Sequence, residues 1–78
     1  MQVHVKLFSR FRACLPRDAH GEATIEMPDT ATVGALLEHL GVKGRVKLIT
    51  INGERDADRE RILQEGDEVR IFPVVVGG

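Results

Sequence analysis

The chain end carries the group with the clearest chemical potential in this sequence. Gly77 and Gly78 follow three consecutive valines at positions 74–76. Glycine has no Cβ, so its backbone can approach a ligand closely and adopt angles that other residues avoid. The carboxylate of Gly78 is ionised at neutral pH and is a poor electrophile until another molecule activates it. Many chain ends are simply frayed, but this one follows a patterned strand, and we expect it to be functional.

The segment that ends in these glycines is long enough to reach a site on another protein. Residues 74–78 follow Pro73 and span about 16–18 Å when they are fully extended. This length can carry a carboxylate into a buried site on a partner protein while the folded part stays outside. We therefore divide the chain into a β-rich domain, residues 1–73, and a flexible C-terminal tail, residues 74–78.

Side chains elsewhere in the sequence offer weaker chemistry. Cys14 is the single cysteine, and its helical spacing from Phe11 indicates a half-buried position rather than a nucleophile. His4, His20 and His39 are scattered without the spacing of metal ligands, so we expect no metal site. We also expect no bound cofactor.

Length and composition exclude several classes of function. A chain of 78 residues forms one domain and is too small to hold both a full core and a deep catalytic pocket. Its 11 basic and 12 acidic residues nearly balance, and it has three Phe and no Tyr or Trp, which is unlike a nucleic-acid-binding protein. A single cysteine and the lack of an apolar run of about 20 residues favour a cytoplasmic protein without membrane contact.

Apolar residues alternate with polar ones in three segments, and this period predicts strands with one buried face. The segments are residues 3–7, 23–27 and 68–72, and a nearly continuous apolar run at residues 46–51 predicts one more strand. Pro73 should end ladder pairing in the last strand, because proline has no N–H to donate.

A complete helical spacing of apolar residues appears once, between the second and third predicted strands. The apolar positions i, i+3, i+4 and i+7 are Val33, Leu36, Leu37 and Leu40. Residues 29–32 offer N-caps, and Gly41 suits a left-handed C-cap. Weaker patterns predict a short helix at residues 9–15, a tight turn at Asn52-Gly53, and a single helical turn within residues 56–64. The fold class is therefore α+β, with one main helix on a mixed sheet of four to five strands.

At this point the sequence resembles a known family. The order of elements is similar to that of ubiquitin-like β-grasp proteins, and residues 66–78 resemble the C-terminus of MoaD/ThiS sulfur carriers. That segment reads Gly-Asp-Glu-Val, a strand, Phe72-Pro73 and a terminal Gly-Gly. Residues 5–8 and the turn at residues 51–54 also fit the family, so the resemblance covers essentially the whole chain.

The resemblance implies an activity that partner proteins complete. An ATP-dependent activating enzyme would adenylate Gly78, with Gly77 beside it, and a sulfur donor would convert the adenylate to a thiocarboxylate. The carrier would then give its sulfur to a synthase subunit. ATP would be used by the partner and not held by this chain.

The family has two branches, which deliver sulfur to different biosynthetic pathways. Phe72-Pro73 and the short helix after the first strand favour the MoaD-like branch, whose members are the small subunit of molybdopterin synthase. Val74 stands where MoaD tails often carry a second proline, which leaves open the ThiS branch and the thiazole of thiamine. A ubiquitin-like modifier joined to lysines through Gly78, and a passive interaction domain, are further alternatives.

A docking face should accompany the tail. If Val69 and Ile71 point towards the helix, Arg70 and Phe72 point outwards and share a surface with Phe8. A register shift of one residue would instead place Phe72 in the core. The predicted partner interface consists of Phe8, Arg70, Phe72, Pro73, Val74, Val75 and Val76.

Overall fold

The protein is described by a computed structural model, which covers residues 1–56 and 58–75. Within these residues the strands are β1 Gln2–Leu7, β2 Glu22–Glu26, β3 Val46–Ile51, β4 Glu54–Arg55 and β5 Glu68–Pro73. The one α-helix of this part of the chain is α1 Val33–Leu40, and two 3₁₀ helices span Ser9–Cys14 and Arg17–Ala19. None of these helices has both the length and the hydrophobicity that crossing a membrane requires.

The five described strands form one mixed sheet in the order β2-β1-β5-β3-β4. The parallel pair is β1 with β5, whereas β1–β2, β3–β5 and β3–β4 are antiparallel. The predicted α+β class, with one main helix on a mixed sheet, is confirmed. The parallel pair lies at the centre and brings the C-terminal ends of β1 and β5 to the same edge of the sheet.

The core lies between α1 and one face of the sheet. Burial alternates along β1 and along β5 as the period of two predicts, and α1 buries the predicted stripe of four residues. Each large apolar side chain that is fully removed from water contributes about 1.5–3 kcal/mol. Fully buried members of the core are Val3, Leu7, Phe11, Val33, Leu36, Ile51, Leu63, Val69 and Ile71.

Local chemistry sets both ends of α1. The Oγ1 atom of Thr32 accepts a hydrogen bond of 3.1 Å from the Ala35 N–H, which satisfies one free donor of the first turn. At the other end Gly41 adopts a left-handed φ of 73°, and the N–H of Val42 donates to the Leu37 carbonyl. This is a Schellman cap, and it requires the conformational freedom of glycine.

The segment between β4 and β5 differs from the prediction of a helical turn at residues 56–64, which is wrong for the described residues. The carbonyls of Arg59 and Arg61 instead accept from the N–H groups of Gly34 and Val33, each at 2.9 Å. Those two donors belong to the first turn of α1 and have no partner within the helix. The segment therefore lies along the N-terminus of α1, and the buried Leu63 anchors it to the core.

The last hairpin and the last strand follow the prediction except in the length of β4. The predicted Asn52-Gly53 turn is confirmed, with φ angles of 53° and 85°, but β4 behind it has only two residues and no periodic pattern. Pro73 is the last paired residue of β5, as predicted, and it lies opposite Val46 at a register shift in the ladder. Proline is tolerated at such irregularities, where no ladder donor is needed.

The predicted short helix at residues 9–15 is present as the first 3₁₀ helix. It ends one residue earlier than expected, at Cys14. Ser9 has a φ of 54°, so the chain turns sharply between the end of β1 and this helix. The turn keeps the 3₁₀ helix close to β5 and close to the end of the described chain.

Candidate functional site

The ends of β1 and β5 bring two aromatic rings together on the outer face of the sheet. Leu7 lies opposite Ile71 in the parallel ladder, and both point into the core, so the next residues, Phe8 and Phe72, point away from it. Their rings stack with centroids 4.1 Å apart and planes 11° apart. Leu48 lies opposite Phe72 in the β3–β5 ladder. We call Phe8, Leu48 and Phe72 the phenylalanine patch.

Burial decides the strand register that the sequence left open. Val69 and Ile71 are 1% and 0% exposed, whereas Arg70 is exposed and Phe72 is half-buried. The outward orientation predicted for Arg70 and Phe72 is therefore the one that the structure has, and the alternative of Phe72 in the core is wrong. An apolar patch outside the core is a candidate contact surface for another protein.

Basic side chains border the phenylalanine patch. The Nζ atom of Lys6 lies 5.5 Å from the centroid of the Phe8 ring, a distance at which an ammonium is attracted to the ring face. Arg70 lies opposite Lys6 in the parallel ladder and is exposed. Lys6 also pairs with Glu22, whose Oε1 lies 4.0 Å from the Lys6 Nζ. An apolar centre with a charged rim is typical of a protein interface.

The backbone after β5 stays attached to the domain for one more residue. The N–H of Val74 donates to the Arg45 carbonyl at 3.1 Å, and the Val74 carbonyl accepts from Nη1 of Arg10 at 2.6 Å. Pro73 is buried, so its side chain offers little surface to a partner. Val75 is 72% exposed and marks where the described chain leaves the body.

The remaining predicted tail residues, Val76, Gly77 and Gly78, lie outside the described residues. Val75, the last described residue, follows β5 at the edge of the sheet that carries the phenylalanine patch. The predicted interface residues Phe8, Arg70, Phe72 and Val75 are therefore brought to one end of the sheet.

A hydrogen-bonded cluster holds the opposite end of β5. Asp67 is only 6% exposed, and its carboxylate accepts from Nδ2 of Asn52 at 2.9 Å and from the Gln64 N–H at 2.8 Å. The Asn52 Oδ1 in turn accepts from the Glu68 N–H at 2.9 Å. The cluster ties the β3–β4 turn to the first residue of β5. The sequence predicted the Asn52-Gly53 turn but not this link, which the tendency of Asn and Asp side chains to bind nearby backbone groups could have suggested.

An ion pair stabilises the segment that lies along α1. Nη1 of Arg61 donates to Oδ2 of Asp56 at 2.7 Å, and the Asp58 N–H donates to Oδ1 at 2.9 Å. The Arg61 guanidinium, with this N–H, holds the pKa of Asp56 below its ordinary value. The pair helps to place the Arg61 carbonyl on the helix N-terminus.

The other candidate side chains lie apart from the tail exit. Cys14 is half-buried as predicted, and its Sγ lies 3.7 Å from the Gly41 carbonyl oxygen. Within the described residues, no group of three or more His, Cys, Asp or Glu side chains could hold a metal ion. The candidate functional site therefore consists of the phenylalanine patch and the adjoining chain end.

Comparison with known proteins identifies a matching family. The model of the ThiS family matches residues 5–78 of this chain. The structure of a putative molybdopterin converting factor, subunit 1, from Pyrococcus furiosus is 30% identical, with 96% of this chain and 99% of that chain covered and a TM-score of 0.73. A search of curated proteins found no match.

Two more distant structures share the fold over their whole length. SAMP1 from Haloferax volcanii is 22% identical with a TM-score of 0.75. A chain in the complex of subunits 1 and 2 of molybdopterin-converting factor from Helicobacter pylori is 21% identical with a TM-score of 0.67. Both comparisons cover 100% of each chain. Together with the sheet order they confirm the predicted ubiquitin-like β-grasp fold.

Proposed function

This chain belongs to the ThiS family of MoaD/ThiS sulfur carriers, and on that premise we propose that it carries sulfur on its C-terminal carboxylate. An activating enzyme adenylates Gly78, as the carboxylate attacks the α-phosphate of ATP and pyrophosphate leaves. A sulfur donor then displaces AMP and leaves a thiocarboxylate. The observation that carries the proposal is that the family match runs through Gly77 and Gly78.

The geometry at the end of β5 supports a chain that presents its C-terminus to partner proteins, which carry out the chemistry. β5 is paired on both sides, with β1 and with β3, so the tail begins directly after a central strand of the sheet. Val75 is exposed immediately beyond it. ATP and the sulfur donor are handled by partners, and this chain supplies a thin reactive end with no side chains at its last two positions.

The phenylalanine patch is the surface that we propose for partner binding. It lies at the same end of the sheet as the tail exit, so a partner that binds Phe8 and Phe72 has the reactive end within reach. Burial of aromatic rings supplies much of the binding free energy at protein interfaces. Arg70, Val74, Val75 and Val76 complete the contact surface, while Pro73 acts from within the body to direct the tail.

The acceptor that we propose is the large subunit of a molybdopterin synthase, which would make this chain the small subunit. The Pyrococcus furiosus relative at 30% identity is described as a putative subunit 1 of molybdopterin converting factor, and this supports the MoaD-like branch. The Helicobacter pylori structure holds subunits 1 and 2 together, and we extend such a pairing to this chain as part of the proposal.

The test is to follow the mass of the intact protein during activation. The purified chain is incubated with ATP, a sulfur donor and an activating enzyme that acts on ThiS-family carriers. Mass spectrometry then measures the replacement of one oxygen atom by sulfur. We expect the shift in the wild-type chain and its loss in Gly78→Ala and in a variant with one residue added after Gly78. Thermal unfolding should be the same for all three proteins, since no described contact changes.

Retention of the sulfur mass shift in both variants would refute the role of Gly78. A denaturing gel distinguishes the alternative of a protein modifier, because covalent adducts through Gly78 would appear there and a free thiocarboxylate would not accumulate. Loaded carrier mixed with a molybdopterin synthase large subunit and the pterin precursor that accepts the sulfur should return to the mass of the carboxylate form. Loss of the sulfur only with a thiazole synthase would assign the chain to the ThiS branch instead.

A further inference from the structure

Arg10 connects the first 3₁₀ helix to the backbone at the base of the tail. Its Nη1 donates to the Val74 carbonyl at 2.6 Å, and its Nη2 donates to the Arg45 carbonyl at 3.5 Å. The Arg45 carbonyl also accepts from the Val74 N–H at 3.1 Å. Both backbone groups of Val74 are therefore bound to the domain, although β5 ends at Pro73.

The guanidinium that makes this contact also lies near the ring of a core residue, although Arg10 itself is exposed. Its central carbon lies 5.3 Å from the centroid of the Phe11 ring, and Phe11 is only 2% exposed. The positive φ of Ser9, 54°, turns the chain so that Arg10 faces the end of β5. A charged donor on a carbonyl makes a stronger hydrogen bond than a neutral one, and the planar fork of arginine can serve two carbonyls at once.

We propose that Arg10 is a positioning residue of the carrier, which clamps the Val74 carbonyl so that the tail leaves the domain at one place and in one direction. The inference rests on the proposed function, because it assumes that the residues beyond Val74 enter a partner. The clamp moves the start of the working tail from Val74 to Val75. Residues 75–78 then span about 13–14 Å when extended.

The clamp should act on binding of the tail and not on its chemistry. Ordering one residue of backbone has an entropic cost, and a partner that receives the tail from a clamped base orders fewer residues. Arg10 is hydrogen-bonded to the Val74 carbonyl and does not take part in the reaction at Gly78. Its removal should therefore raise the KM for activation about 3- to 10-fold and leave kcat unchanged, which is the signature of lost uniform binding.

The experiment compares Arg10→Met, which keeps the stem and removes the donors, with Arg10→Lys, which keeps one charged donor. Arg17→Met is the matched control, because Arg17 is exposed and lies in the second 3₁₀ helix. In the free proteins, ¹⁵N heteronuclear NOE and amide exchange are measured at Val74 and Val75. The KM and kcat for adenylation are then measured with the activating enzyme.

We expect Arg10→Met to lower the NOE and the amide protection at Val74 and to raise KM, with Arg10→Lys between it and the wild type and Arg17→Met unchanged. Unchanged NOE and KM in Arg10→Met would overturn the inference, and so would a fall in kcat at constant KM. If the wild-type chain is not adenylated at all, the proposed function fails, and the NOE of the free protein alone decides whether the clamp exists.

Discussion

The ring of Phe8, just after β1, stacks on the ring of Phe72 in β5, with 4.1 Å between the ring centroids. The contact exists because β1 and β5 are parallel neighbours, so that their C-terminal ends meet. The chain leaves the domain at this same edge, where Val75 is exposed. The parallel pairing of β1 and β5 thus places the proposed docking surface and the exposed Val75 at the same end of the sheet.

Phe72→Asp should fold and fail to bind the activating enzyme. The stack with Phe8 contributes about 0.5–1.5 kcal/mol beyond simple burial, which a domain with an intact core tolerates, whereas a carboxylate in the phenylalanine patch opposes an apolar contact. Thermal unfolding measures the first effect, and calorimetric titration measures the second.

The matched control is Ile62→Asp, because Ile62 is also apolar and is 57% exposed. This variant should bind like the wild type. Global unfolding of Phe72→Asp would mean that the ring belongs to the core, and undiminished binding would remove the patch from the interface.

Asp67→Ala should destabilise the domain. The change leaves the Asn52 side-chain amide and the Gln64 N–H without their carboxylate acceptor, and each such loss costs about 1–3 kcal/mol. Urea denaturation measures the shift in midpoint, and amide exchange at Glu68 reports loosening at the start of β5. Asp18→Ala, an exposed acidic residue in the second 3₁₀ helix, should change stability little. Equal stability of the two variants would contradict the assigned role of Asp67.

Asp56 should contribute to stability in a way that acid removes. Its pKa is lowered chiefly by the hydrogen bond from Arg61, so the folded state favours the ionised carboxylate. A carboxyl whose pKa is lower in the folded state than in the unfolded state stabilises the fold at pH values above the unfolded-state pKa. This stabilisation is lost as the pH falls through the folded-state pKa, here below about pH 4. Asp56→Asn should therefore show a smaller loss of stability than the wild type between pH 5 and that acid range.

The measurement for Asp56 is urea denaturation at a series of pH values. Asp18→Asn serves as the control and should keep the wild-type slope. An Asp56→Asn variant whose stability falls with acid as steeply as the wild type would show that the ion pair does not contribute in this range.

Gly21→Ala should cost more stability than Gly53→Ala. Both glycines have a positive φ, 78° and 85°, so each alanine pays the left-handed strain of about 1–2 kcal/mol. Only at Gly21 would the new Cβ also approach a backbone atom, the Leu7 carbonyl oxygen, to 2.8 Å, whereas it meets nothing within 4 Å at Gly53. Displacing backbone should add about 1–3 kcal/mol. Equal unfolding midpoints would mean that the β1–β2 connection shifts freely.

The local parts of the fold were predictable because they depend on neighbours in sequence. The period of two placed β1, β2 and β5, although it left open which residues of β5 face the core. The helical period placed α1, and residue chemistry identified its C-cap at Gly41 and the turn at Asn52-Gly53. The family resemblance rests on this same order of elements together with the Gly-Gly ending.

Tertiary structure alone decided the contacts that join distant residues. Arg10 and Val74 are 64 positions apart, and Asn52 and Asp67 are 15 apart. An alternating pattern states which side of a strand is buried, but not which strand lies next to it, so the Phe8–Phe72 stack could not be read from it. Pro73 ends the ladder as its missing donor predicts, but the register shift in β3 that places it opposite Val46 could not be predicted from the sequence. Such contacts depend on how the assembled sheet closes on itself, and that is set by packing and pairing across the whole domain.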